Sequence, residues 1–169
     1  VAQVTPGALV QYNVTINNQG GANVTAAAPL LVTDVPDGNL TILGWEAFDQ
    51  NGNRITSTNV LSPVNDIPGP GNFVFTLNGV QVRQLNIGES ITFRISARVD
   101  NDVSVGGSVT NTAEVTIPPA LSPTGTPQVV TATDTNQVVA PTPTPNQPPQ
   151  TKNINDTFTP GVPRPVDLP

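Results

Sequence analysis

Histidine and cysteine are both missing from this 169-residue chain. Without histidine, no side chain ordinarily exchanges protons near neutral pH; without cysteine, there is neither a thiol nucleophile nor a disulfide. The commonest ligands of transition metals go with them. Most enzyme classes lose their usual reactive groups, so the expectation is a protein that is not an enzyme and takes no cofactor. Lysine occurs once, at Lys152, and lysine and arginine together number 6 against 12 acidic residues, for a net charge of −6. Such a surface has no basic patch to neutralise phosphates, which excludes nucleic acid as a partner. No apolar run approaches the roughly 18 residues that span a bilayer, so no membrane span is expected in this segment. Aromatic residues are also few: Trp45, Tyr12 and five phenylalanines, mostly at core positions. That leaves little for the exposed platform on which a carbohydrate-binding module stacks its sugars.

Long helices are disfavoured by what is abundant. Nineteen prolines, fourteen glycines and many threonines and asparagines remove backbone donors, restrict rotamers and favour turns. Hydrophobic residues make up 36% of the chain, and they recur in strand-like blocks. Ala8 to Asn17 alternates strictly, with Val10, Tyr12, Val14 and Ile16 on one face. Val24 to Val35 resumes extended structure, and Pro36-Asp37-Gly38 turns the chain. Leu40 to Phe48 puts Leu43, Trp45 and Ala47 on one face, with Trp45 as the expected core anchor. Asp49-Gln50-Asn51-Gly52-Asn53 then closes a hairpin. After an irregular stretch from Ser62 to Gly71, strands are expected at Asn72 to Leu77, Ser90 to Val99, Val109 to Ile117 and, more weakly, Pro127 to Val139. Some seven short strands between Gly, Pro and Asn turns predict an all-β, antiparallel sandwich of immunoglobulin-like, Greek-key form over residues 1–140.

Residues 141–149 are a Pro/Thr-rich spacer that cannot join a ladder. In polyproline II conformation it reaches on the order of 28 Å. Residues 150–169 form an extended tail whose apolar side chains, Ile154, Phe158, Val162, Val166 and Leu168, fall at even spacing and so on one face of a strand. Pro160, Pro163 and Pro165 confine its second half to irregular or edge pairing.

Four stretches carry the resemblance of this chain to a known family: TPGALVQYNVTINNQGG, LLVTDVPDG, LNIGESITFRISARV and VTNTAEVTI. Over residues 4 to 117 they resemble the conserved-repeat domain family, domain of unknown function eleven, of bacterial and archaeal secreted surface proteins. The resemblance implies an immunoglobulin-like sandwich with structural or adhesive roles and no established enzymatic activity. It brings no catalytic residues. The chain departs from the family in its Pro-rich insert from Arg54 to Gly71 and in an almost absent first strand, since only Val1 to Val4 precede Thr5-Pro6-Gly7. A sandwich lacking its first strand exposes unpaired backbone and a hydrophobic groove, which invites strand addition.

The functional expectation follows from that gap. The chain reads as a structural subunit of an extracellular, cell-surface filament, a head-to-tail homopolymer in which the tail of one subunit completes the sandwich of the next. The alternative is a repeat module of a large surface adhesin or surface-layer stalk, with the tail as a linker or packed on its own domain; other surface proteins or glycans are then the partners. Val1 in place of an initiator Met reads as a processed or excised segment. Asn13, Asn23, Asn39 and Asn155 each begin an Asn-X-Thr acceptor for N-linked glycan, against a chance background raised by the abundance of Asn and Thr. Asp49 to Asn53 and Asp100-Asn101-Asp102 offer oxygen ligands but lack the bidentate Glu of a calcium loop, and read as ordinary turns; no metal is expected. Asp34 and Asp37 read as carboxylates that accept backbone N–H bonds at a strand-to-turn junction. Lys152 reads as an exposed charge, the alternative being an amide crosslink to an Asn or Asp that ties the tail to a domain.

Overall fold

The computed structural model describes residues 2–56, 59–61 and 77–142. Among them run the strands β1 (Gln3–Val4), β2 (Leu9–Asn17), β3 (Leu30–Pro36), β4 (Leu40–Asp49), β5 (Val60–Leu61), β6 (Val80–Val82), β7 (Ser90–Val99), β8 (Ser108–Ile117) and β9 (Gln128–Val138). They divide into a sheet ordered β1-β9-β8-β3-β6-β5 and a smaller sheet ordered β2-β7-β4. All pairings are antiparallel except that of β1 with β9. The chain switches repeatedly between sheets, and the result is the expected immunoglobulin-like sandwich.

Strict alternation explains why β7 is the centre of the smaller sheet. Ile91, Phe93, Ile95, Ala97 and Val99 all point into the core and are at most 2% exposed. β2 pairs with one side of β7 from Leu9 opposite Arg98 to Asn17 opposite Ser90, and β4 pairs with the other. Trp45 is buried and packs its ring on Phe93 with centroids 5.7 Å apart, as expected of a core anchor. Outside the sandwich, Arg94 covers the Phe48 ring at 4.4 Å and Thr15 bonds Thr92 across the strands at 2.9 Å.

The structure departs from the sequence reading in four places. Val24 does not begin the second strand. It makes an isolated bridge to Leu85, and the chain turns from Thr25 to Ala28 before β3 starts after Pro29, which has no N–H to give a ladder. In β4, the register slips between Ile42 and Gly44, so Leu43 is the extra residue of a bulge and not a partner of Trp45 and Ala47 in facing the core. The first strand is short, not absent: β1 pairs in parallel with β9, Gln3 opposite Gln137 and Val4 opposite Val138. Finally, β5 and β6 are two and three residues long, too short to show an alternation, yet they complete the far edge of the larger sheet. The strand expected at Asn72 to Leu77 lies outside the described residues except for Leu77, which is buried and accepts the Asp34 N–H at 2.7 Å.

Candidate functional site

Two edges of the sandwich face each other without a strand between them. β2 pairs only with β7, so its other edge is open. β9 pairs with β8 along its whole length, but β1 covers its outer edge only at Gln137 and Val138. From Gln128 to Asn136, no described strand continues the sheet beyond β9. Open backbone donors and acceptors on both walls are what an added strand needs.

The side chains between these edges make a groove with two unlike halves. Toward the start of β9 it is apolar, about 330 Å³ in volume, and lined by Val14 and Ile16 of β2, Val115 and Ile117 of β8, Leu121 and Val130. The first five are only partly buried while packing on the main core, and Val130 is 55% exposed. Among the described residues, nothing covers this side of the sandwich core. Toward the end of β9 the groove turns polar, with a volume of about 460 Å³, between Tyr12 and Val14 of β2, Asn111 of β8 and Asp134 of β9.

The polar half owes its character to residues at core positions that are not apolar. Asn111 follows Val109 and precedes Ala113 on the inward face of β8, and Asp34 follows Val32 on the inward face of β3. Both are buried, and the Asn111 Nδ2 donates to Asp34 Oδ1 at 2.7 Å. Asp34 Oδ2 and Asn111 Oδ1 have no hydrogen-bond partner among the described residues. Burial pushes the Asp34 carboxyl up to about 6, against the opposing pull of the Asn111 bond. Beside them, the Asn136 Nδ2 donates to Asp134 Oδ2 at 2.9 Å and reaches the Tyr12 hydroxyl at 3.5 Å. Burial raises the Tyr12 hydroxyl above its ordinary value; the Asn136 bond opposes this, and the charges of Asp134, Asp37 and Asp34 add to it. Three carboxylates therefore lie near this end of the groove, with Asp134 lining it, and none of the described arginines lines it.

Asp37 behaves as the sequence reading expects, accepting the N–H groups of Asn39 and Thr110. Asp34 does not: its carboxylate faces the Asn111 amide inside the sandwich, and its own N–H is what bonds the backbone. Asn111 was not singled out by the sequence, although a polar residue at the core parity of a strongly alternating strand is the signal that marks it. Asp49 accepts from the backbone of Asn51 and Asn53 and from the Asn53 side chain, bonds that hold its carboxyl below the usual range, the Asn53 side chain foremost. Its oxygens serve the turn. Asp100 Oδ1 accepts the Thr41 hydroxyl at 2.7 Å. Asn13, Asn23 and Asn39 are exposed, and the Asn23 side-chain oxygen is engaged by the Ile87 N–H at 2.9 Å. Asn155 and the tail residues Ile154, Phe158, Val162, Val166 and Leu168 lie outside the described residues.

No family model matches the chain, and no curated protein sequence does. Among solved structures, the fold is similar to that of the major pilin subunit BcpA of Bacillus cereus, with a TM-score of 0.56 at 15% identity over 82% of this chain. The chain spans 36% of that pilin's length. A lesser similarity, TM-score 0.45 at 8% identity, covers 81% of this chain and 92% of the collagen-binding subdomain of the Enterococcus faecalis surface protein ACE. At 15% identity the likeness to the pilin speaks to the fold alone, an immunoglobulin-like β-sandwich.

Proposed function

We propose that this chain is the structural subunit of an extracellular filament or pilus-like surface assembly, joined head to tail by strand donation into the groove between β2 and β9. The observation that carries the reading is the open groove: among the described residues, apolar side chains of β2, β8 and β9 lie between the outer edge of β2 and the stretch of β9 from Gln128 to Asn136, neither of which has a partner strand. The occupant is the tail of a second copy. Ile154 and Phe158 fall on one face of an extended segment, with Asp156 between them, and the segment from Thr151 to Thr159 matches in length the open edge from Gln128 to Asn136. A nine-residue spacer in polyproline II conformation would reach on the order of 28 Å, enough to bring that segment to a neighbouring subunit. The pilin-like fold and the resemblance to the conserved-repeat surface family point the same way, to assembly at a cell surface and not to catalysis.

One observation favours a second reading, a repeat module of a longer adhesin or surface-layer stalk: the fold occupies only 36% of the pilin it is similar to, so it also serves as one domain of a longer chain. Electron microscopy and sedimentation of the full chain beside a chain ending at Gln147 separate the two. Strand donation requires fibres from the full chain and monomers from the shorter one. Folded monomers from both leave the repeat module as the reading that stands.

A further inference from the structure

The polar end of the groove is built like half of a binding site. Asp34 is 8% exposed and Asn111 4%, they bond each other, and each retains a buried oxygen with no partner among the described residues. A buried carboxylate oxygen and a buried amide oxygen left without donors are each costly. Asp134, whose Oδ2 accepts only from Asn136 among the described residues, and the more distant Asp37 add negative charge, and no described basic side chain reaches the site. What is missing is a compact cation with several N–H donors and a stem long enough to reach the floor of the cleft. An ammonium group on an aliphatic side chain has that chemistry.

We propose that Asp34 and Asn111 form a seat for the ammonium group of Lys152 from the neighbouring subunit, which fixes the register of the donated strand. The seat rests on the strand-donation reading and adds to it the residue pair that decides where the strand stops. Lys152 is the only lysine in the chain and stands two residues before Ile154 and six before Phe158, on the same face of an extended segment. Inward-facing residues of β8 have the same spacing: Asn111, then Ala113 two residues on and Ile117 six residues on. With Lys152 level with Asn111, Ile154 comes level with Ala113 and Ala132, whose small side chains leave room for it. Phe158 comes level with Ile117 at the apolar end. Asp156, between them, comes level with Val115 and Val130, where the 55% exposure of Val130 shows the groove open to water. The strand then runs antiparallel to β9 and extends the larger sheet.

The test compares polymerisation of the full chain by sedimentation at low and high salt with that of Lys152→Ala, Lys152→Arg, Arg164→Ala and Asp34→Asn. Lys152→Ala changes no side chain of the described sandwich, and the seat requires it to raise the concentration needed for assembly by roughly tenfold or more, as loss of a desolvated charge partner does. Arg164→Ala, which removes the other tail cation, must leave assembly unchanged, and Lys152→Arg must restore only part of it. Asp34→Asn must add little to Lys152→Ala, because both remove the same interaction. Polymers that survive boiling in detergent and weigh one ammonia less per joint also support the seat. They would show it carried through to an amide: the neutral Lys152 amine adds to the Asn111 side-chain carbonyl, Asp34 relays its proton to the departing nitrogen, and ammonia leaves. If the wild-type chain polymerises and Lys152→Ala does so equally well, the seat is wrong while strand donation stands. If the wild-type chain does not polymerise at all, strand donation itself fails.

Discussion

Asp34 illustrates how one buried polar residue sets the behaviour of its surroundings. Its carboxyl titrates at about 6 in the folded chain against 3.8 in an ordinary setting, because burial disfavours the charge more than Asn111 compensates. The folded state therefore holds this proton more tightly than the unfolded state does. The stability it contributes is full below about pH 4 and is lost as pH rises through 6. In Asp34→Asn this slope disappears: the variant should gain about 2 kcal/mol over the wild type at pH 8, less with greater access of water, and little at pH 4. Thermal melts of the two chains ending at Gln147, so that assembly does not enter, check it; Tyr12, Asp37 and Asp134 face the same cluster and are present in both chains. A residue that weakens its own domain at neutral pH has a place in the protein through something other than stability. Gly7 makes the opposite case, since its backbone stands at φ 77° and a Cβ there would lie 2.5 Å from the Asn101 side-chain oxygen. Gly7→Ala is expected to lower stability by about 1 to 2 kcal/mol in urea unfolding.

At the scale of elements, legibility followed burial. β2, β7 and β8 are long, one-faced and bordered by turns, and their alternation gave their position and inward face directly, because each side chain on the core face is apolar for most of the length. Where a bulge intervenes, as at Ile42 and Gly44, a fixed period assigns the wrong residue, and Leu43 was misplaced for that reason. Strands of two or three residues, β1, β5 and β6, exist because neighbours supply their partners, and no local pattern announces them. The groove was half legible. An unfilled edge follows from the small size of the first strand, but the Asp34–Asn111 pair at its floor depends on two strands brought together by the fold: core parity marks Asn111 as an inward polar residue, and nothing local says what it meets. The centre of the smaller sheet is the least replaceable element: Phe93 is fully buried against Trp45, and Phe93→Ala should cost about 3 to 5 kcal/mol by chemical denaturation.

At the scale of the molecule, the described residues of the two sheets meet as a closed core on one side and an open one on the other. A charge placed in the open part separates folding from assembly. Ile16 lines the groove and is only partly buried, so Ile16→Glu should leave the domain folded, within about 1 kcal/mol, yet abolish fibres of the full chain under the electron microscope. A loss of fold instead would mean that this side chain belongs to the core proper. The two residue pairs that hold β1 to the end of β9 have a mechanical meaning as well. On the strand-donation reading they would plug the slot at one end, so that a ribbon sliding along it would meet a stop, and pulling on the ribbon would strain its whole ladder in shear instead of opening it one bond at a time. A cable made of such joints would repeat at a single length and resist tension best along its own axis.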